Sequence, residues 1–316
     1  MGASNPSRPM KRVRLPVVIH SVSAAGRRWR RIAAALTISI VIMIVELAAG
    51  IASNSLALMA DAGHLFADVS GMALSLAAIW VAARPRSSGR SFGWYRLEIV
   101  AATANAILLL GVSIVIVIEG VRRFVAPPEI ASGIVIVVAV VALIGNLVSL
   151  RLLAEGRHVS LNVRGAYLEV AGDLLGAAAV LVAGLVILAT GWGQADAVAS
   201  IAIGILIVPR AVGLLRDSID ILLEATPKGV DLDEVRRHIL EASGVAEVHD
   251  LHAWTITSGM NVVSAHVVLT PDAQPGDVLD ELGSCLTDDF DINHSTFQLE
   301  TPDHVRWEAV ASQPQH

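Results

Sequence analysis

A bundle of six membrane-spanning helices followed by a small α+β domain is the fold class this sequence predicts, on three observations. The first is composition. Of 316 residues, 54% are hydrophobic and only 16% charged, and the mean hydropathy is +0.64. That is too apolar for an ordinary water-soluble chain. The second is a series of six apolar runs, each of about 20 residues or more, the length that crosses a bilayer. The third is a break in charge near Pro227. From Lys228 onward 4 basic residues stand against 16 acidic ones, a net of −12, whereas the preceding part carries 19 against 13, a net of +6. Seven of the ten histidines fall in the acidic part: His238, His249, His252, His266, His294, His304 and His316.

Residues 1–31 are polar and basic, with Arg27, Arg28, Arg30 and Arg31 at their end, and are expected to form a disordered arm. The run Ile32–Ala52 is longer than a signal-peptide core and reads as an uncleaved first span. Leu56–Ala83, Leu97–Glu119, Ile130–Leu153, Ala166–Thr190 and Ala195–Leu215 supply the other five. The arm, the loop with Arg84, Arg86, Arg90 and Arg96, and the loop with Arg151, Arg157 and Arg164 share one side of a six-span chain. Basic residues in short loops stay inside, so both termini are expected in the cytoplasm of a multi-pass inner (plasma) membrane protein. Arg122 and Arg123 fall on the opposite side and are outvoted. Beyond Pro227, Asp231–Ser243 reads as an amphipathic helix with Val235 and Ile239 inward. Val245–Ile256 and Asn261–Leu269 read as a hairpin over the Ser258–Gly259 turn, Asp277–Asp288 as a second helix and Ser295–Leu299 as a last strand. The order αββαβ fits an open-faced sheet with two helices on one side. The expected divisions are an arm 1–31, a membrane domain 32–226, a soluble domain 227–302 and a tail 303–316. The lone Cys285 excludes an internal disulfide. The net charge of −6 argues against nucleic acid as a partner.

The apolar runs are not uniformly apolar. The second carries Asp61, His64 and Asp68, and the fifth carries Glu169 and Asp173. A charge at bilayer depth costs roughly 3 kcal/mol or more, so such groups mark sites. At about 100° per residue, Asp61, His64 and Asp68 share one helix face, as do Glu169 and Asp173. If the two stripes face each other, His64, Asp68, Glu169 and Asp173 converge as one nitrogen and three oxygens. That set suits zinc and also accepts cobalt, cadmium, iron or manganese. Its ligands must lose protons before they bind a cation, which is the physical basis for metal–proton exchange. Two other readings stand beside this one: hydrogen-bonding glue between helices, given equal weight for Asp61, Asn105 and Asn146, and a proton relay without metal.

At this point the chain resembles the cation diffusion facilitator family. The resemblance lies in Ser53-Asn-Ser-Leu-Ala-Leu-Met-Ala-Asp-Ala-Gly-His-Leu-Phe-Ala-Asp68, Phe92-Gly-Trp-Tyr-Arg-Leu-Glu98 and Ala166-Tyr-Leu-Glu-Val-Ala-Gly-Asp-Leu-Leu-Gly176. Ile221-Leu-Leu-Glu-Ala-Thr-Pro227 and Val248-His-Asp-Leu-His-Ala-Trp254 add to it. Within the family the chain is most similar to the bacterial cobalt–zinc–cadmium resistance branch. The resemblance implies a homodimer in the lipid bilayer, six spans per protomer, a cytoplasmic ferredoxin-like domain, and export of cytoplasmic metal against protons.

It puts the transport site on His64, Asp68, Glu169 and Asp173. Glu169 stands where a His or Asp is commonest, which leaves the choice among metals open. It puts a cytoplasmic metal site on His249, His266 and Glu300, with Gln298 where some members have a histidine. A weakened or rearranged site recruiting His252 or His294 is therefore expected there, while in the membrane Asp61 is a separate accessory candidate. The loop Arg84–Ser91 has no histidine or acidic residue, so no third site is expected there.

The expected function is thus a secondary transporter exporting Zn2+, with Cd2+ and Co2+ as further substrates, by proton antiport. Zn2+ enters as substrate and as a candidate ligand of the cytoplasmic domain, with no prosthetic group. The alternatives are a Mn2+/Fe2+ exporter and a non-transporting membrane metal sensor. No phosphate-binding glycine loop or nucleophile elbow supports an enzyme.

Overall fold

The computed structural model describes residues 20–302, apart from 83, 86, 87, 155–160, 291 and 293. Its elements are α1 (His20–Ser53), α2 (Leu56–Ala82), α3 (Leu97–Val125), α4 (Ser132–Ala154), α5 (Leu161–Thr190) and α6 (Gln194–Leu222), then α7 (Leu232–Glu241), β1 (Val245–Thr257), β2 (Met260–Leu269), α8 (Pro275–Phe290) and β3 (His294–Glu300). Six helices among the described residues are long and apolar enough to cross a membrane. On α4, Val137, Val141, Ile144 and Val148 stand exposed along one side. That is a stripe for hydrocarbon, not for water. Backbone hydrogen bonding inside each helix is what lets such a stripe enter lipid at all.

The sequence reading is corrected at one boundary. α1 opens at His20, so helical backbone covers residues 20–31, where the sequence predicts a disordered arm. Apolar content ends at Ile32, but Arg and Ala are strong helix formers and carry the helix back past the apolar run. The rest of the expected arm and the tail 303–316 lie outside the described residues.

The chain falls into two compact units, with the division inside α2 after Ala62. The first holds α1, the start of α2, α4 and α5. There α1 packs on α4 and α4 on α5, and Ala35, Leu153, Val163 and Val170 form a buried cluster. The second holds the rest of α2, α3, α6 and everything after them. α3 lies along α6, where Gly120 and Gly204 face Ile201 and Val117 across the interface. Small residues let membrane helices approach closely, where dispersion rather than hydrophobicity holds them. Asn105 of α3 sits against Gly71 of α2, where a Cβ would run into its amide. Arg123 Nε pairs with Glu119 Oε1 at 3.0 Å, and Arg122 lies 3.8 Å from the same carboxylate. One of the two positive charges on the unexpected side of the orientation count is thus compensated within its own helix.

The last part of the second unit is the predicted αββαβ domain. Asp231 caps α7, accepting from the amides of Asp233 at 2.9 Å and Glu234 at 3.4 Å. The sheet order is β1-β2-β3, with β1/β2 antiparallel and β2/β3 parallel. Val235 and Ile239 of α7 and Val278, Leu282 and Leu286 of α8 recur at helical spacing. They pack against Val248, Val263, Ala265 and Val267 of the strands. Gly244 turns the chain from α7 into β1 at φ +88°, and its carbonyl accepts from Thr270 at 2.9 Å. A Cβ there would lie 2.8 Å from that of Ala273. Gly244→Ala is therefore expected to destabilise the domain by about 1–3 kcal/mol through backbone strain and overpacking. Hydrogen exchange of the β1–β2 amides should speed by at least fivefold, on the order set by that energy. Unchanged exchange would show that the turn tolerates a side chain.

Candidate metal centres

In the second unit, α2 places His64 and Asp68 one turn apart, with Nε2 to Oδ2 at 3.6 Å. Both are largely buried, 12% and 8% exposed at the side chain, in a helix whose one other ionisable residue is Asp61. Asp68 Oδ2 also meets Arg210 Nη1 of α6 at 3.5 Å. Arg210 follows Pro209, whose missing N–H leaves a carbonyl of the preceding turn without its helical partner. The sequence reading missed Arg210, because it looked for acidic and imidazole groups and treated the sixth run as uniformly apolar.

In the first unit, α5 places Glu169 and Asp173 one turn apart. Asp173 is buried and Glu169 half-buried. Asp61 lies against the same helix one turn further on, where a Cβ on Gly176 would sit 2.7 Å from its Oδ1. Glu46 of α1 is a second omission. It is 1% exposed, hydrogen-bonds Asp61 and feels the charge of Asp173.

The cytoplasmic cluster is set by strand register. His249 of β1 stands opposite His266 of β2, and His266 opposite Gln298 of β3. The two imidazoles meet edge to face at 5.0 Å. Glu300, its side chain 1% exposed, presents one oxygen to each: Oε2 lies 3.1 Å from His249 Nε2 and Oε1 lies 2.8 Å from His266 Nδ1. The Gln298 amide donates to Glu300 Oε1 at 2.6 Å. His249, His266 and Glu300 offer two nitrogens and a carboxylate oxygen within 4.8 Å of one another, a donor set that fits a divalent cation.

A β-bulge between His249 and His252 adds a residue that the sequence reading did not use. Asp250 takes φ +49° there. Its Oδ1 meets His252 Nε2 at 3.0 Å and its Oδ2 lies 3.7 Å from His266 Nε2. His252 thus joins the cluster through Asp250. His294 does not. It stands six residues before Glu300 on β3, about 20 Å along an extended strand, and its ring meets Phe92 at 5.9 Å.

Burial pushes the Glu300 carboxyl up, but the Gln298 and His249 hydrogen bonds and the His266 and His249 charges reverse this and hold it below the usual 4.5. A lowered pKa stabilises the fold fully above the ordinary value, and that stability is lost as pH falls through the lowered one. Protection of the β3 amides should therefore weaken with acid below about 4.5. Glu300→Gln should flatten that acid limb, and an identical limb in the variant would remove Glu300 as its cause.

The profile of the cation efflux transmembrane domain matches residues 32–223. That of the cation efflux protein cytoplasmic domain matches residues 227–302. The cation efflux system protein CzcD of Alcaligenes sp. (strain CT14) is 44% identical over 282 residues, 89% of either chain. The zinc transporter ZitB of Escherichia coli (strain K12) is 38% identical over 273 residues, 86% of this chain and 87% of its own. The cadmium, cobalt and zinc/H(+)-K(+) antiporter of Bacillus subtilis (strain 168) is 35% identical over 277 residues, 86% of this chain and 89% of its own. Among solved structures, the metal-bound C-terminal domain of the CzcD transporter from Cuprividus metallidurans is 47% identical. It covers 22% of this chain and 99% of its own, with a TM-score of 0.22. With both halves matched and such relatives across most of its length, the chain belongs to the cation efflux, or cation diffusion facilitator, family of multi-pass metal cation transporters with a C-terminal cytoplasmic domain.

Proposed function

We propose that this protein exports Zn2+ from the cytoplasm in exchange for protons, with His64, Asp68, Glu169 and Asp173 as the transport ligands. The observation that carries the reading is the pair of one-turn ligand sets inside otherwise apolar membrane helices, His64/Asp68 on α2 and Glu169/Asp173 on α5. Fully deprotonated, the four ligands sum to a charge of about −3, which bilayer depth does not tolerate without a cation or protons. A divalent cation and protons relieve the same charge, so each displaces the other. Arg210 faces Asp68 across 3.5 Å, and an incoming ion competes with its guanidinium for that carboxylate. Relatives named as a zinc transporter and as a cadmium, cobalt and zinc/H(+)-K(+) antiporter support zinc, with cadmium and cobalt as further substrates.

In this reading the protein is a homodimer of the inner membrane with both termini cytoplasmic. The site residues of the cytoplasmic domain are His249, His266 and Glu300, with Asp250 and His252 beside them. Metal bound there offsets repulsion between two acidic domains. Glu98, at the start of α3, accepts from Ser258 Oγ at 2.9 Å and from Thr257 at the hairpin turn. Arg96 pairs with Glu224 at 2.6 Å. These contacts connect the hairpin and the end of α6 to the first turn of a membrane helix, within one unit. A ligand set with one nitrogen and three oxygens also favours a second reading, export of Mn2+ or Fe2+.

Purified protein in liposomes should accumulate zinc when a pH gradient is imposed. Asp173→Ala and His64→Ala should each lower that uptake by about tenfold or more. Gradient-driven uptake of manganese but not zinc would move the second reading ahead. Binding without accumulation of any metal would leave a membrane sensor, and uptake unaffected by both substitutions would move the transport site elsewhere.

A further inference from the structure

On the helix side of the cytoplasmic domain, α7 and α8 bring together three side chains that the sheet cluster does not use. His238 Nδ1 lies 3.7 Å from Cys285 Sγ and 3.5 Å from Asp289 Oδ2, and Cys285 Sγ lies 3.7 Å from that same oxygen. Cys285 and Asp289 are one turn apart on α8, and His238 is in the last turn of α7.

The triangle can be compared with a metal site. Zinc bonds of about 2.3 Å to sulfur and about 2.0–2.2 Å to nitrogen or oxygen, at tetrahedral angles, put the donors about 3.6 Å apart for each pair with sulfur and about 3.4 Å for nitrogen and oxygen. The three separations here exceed those values by about 0.1 Å each, in the same order. A hydrogen-bonded trio explains the arrangement less well, because a thiol is a weak donor and a weak acceptor.

The surroundings suit a cation. The Phe290 ring meets the imidazole of His238 edge to face at 5.1 Å and fixes its plane. Glu281 and Glu241 add negative charge near the sulfur. The Asp289 side chain is 53% exposed, which leaves the fourth position open to water. Burial first, then Asp289, Glu281 and Glu241, push the Cys285 thiol up. Without a cation it therefore stays a protonated, unreactive thiol.

We propose that His238, Cys285 and Asp289 form a separate binding site for a thiophilic divalent cation of the Zn2+/Cd2+ class, which staples α7 to α8. The thiolate makes this set softer than the two imidazoles and carboxylate of the sheet cluster, so cadmium is the ion it selects best. The site stands on its own geometry and does not depend on which ion the membrane helices carry.

Cys285 is the only cysteine in the chain, so the ultraviolet charge-transfer band of a cadmium thiolate reports this site alone. Titration of the detergent-purified full chain with Cd2+ should give a saturating band at one ion per chain. Cys285→Ser should abolish it. His238→Ala and Asp289→Asn should shift its midpoint by about tenfold or more, and His249→Ala should leave it in place. Asp289→Asn keeps the side-chain shape, so it reports even where His238→Ala disturbs α7. The absence of a saturating band, or a midpoint that both His238→Ala and Asp289→Asn leave unmoved, overturns the site.

Discussion

A charged side chain in a bilayer has no water to turn to, and that constraint orders the membrane half of this protein. Several ionisable groups in the spans meet a polar partner close by. His64 meets Asp68, Asp68 meets Arg210, and Glu46 meets Asp61. Each partner is reached by helical spacing or by close helix packing, because stiff helices have few other ways to bring polar groups together. The small residues have the same origin. Gly176 gives Asp61 its place against α5, and Gly71 gives Asn105 its place against α2. A larger side chain at either position would fill the space a polar group needs, so packing and chemistry are specified by the same residues.

The cytoplasmic half solves a different problem. Its ligands are spread over about 50 residues of sequence, and only strand pairing assembles them. Parallel pairing of β3 on β2 runs on to Glu300, which sits opposite Val268 and beneath His266. Antiparallel pairing sets His249 across from His266. The bulge adds Asp250 by forcing a non-glycine residue to φ +49°, a conformation that costs roughly 1–2 kcal/mol and persists only where its surroundings hold it. Here the surroundings are His252 and His266, both facing its carboxylate. Glu300 plays the opposite part. Its buried oxygens face both rings and the Gln298 amide, so the glutamine in a histidine position supports the carboxylate instead of adding a nitrogen.

Most of the fold was legible because its signals are periodic. Apolar runs of bilayer length, a 3.6-residue stripe on α7 and β-rich runs around a Ser-Gly turn each read directly. The start of α1 was misplaced because helix propensity outlasts apolarity there. The omissions among the polar residues share a cause. Glu46 and Arg210 are single charges inside long apolar runs, with no second charge one turn away to flag them. Asp250 acquires its role from a bulge, and a bulge has no sequence period. His238 and Cys285 are 47 residues apart, and the docking of α7 beside α8 follows from their apolar faces, not from their polar ones. A cysteine one turn before an aspartate, at the end of a predicted helix that the structure extends to Phe290, is the available signal.

The charge break near Pro227 connects these observations. A domain with a net charge near −12 repels a second copy of itself and attracts cations from the cytoplasm. Some of that charge is spread over exposed carboxylates, which bind divalent ions weakly because water competes at every oxygen. The rest is organised. Glu300 stands beneath two imidazoles, and Asp289 stands beside an imidazole and a thiol. Organisation converts a diffuse attraction into selectivity, because nitrogen and sulfur donors discriminate among cations that a carboxylate surface treats alike. The two clusters differ in softness and sit on opposite layers of one small domain, the sheet and the helices. An ion on the sheet ties β1, β2 and β3 together and neutralises the carboxylate buried among them. An ion on the helices ties α7 to α8 across the apolar core formed by Val235, Ile239 and Leu282. Bound at either proposed site, an ion would make the domain stiffer and less negative. Those are the two changes that bear on how closely a second acidic domain can approach.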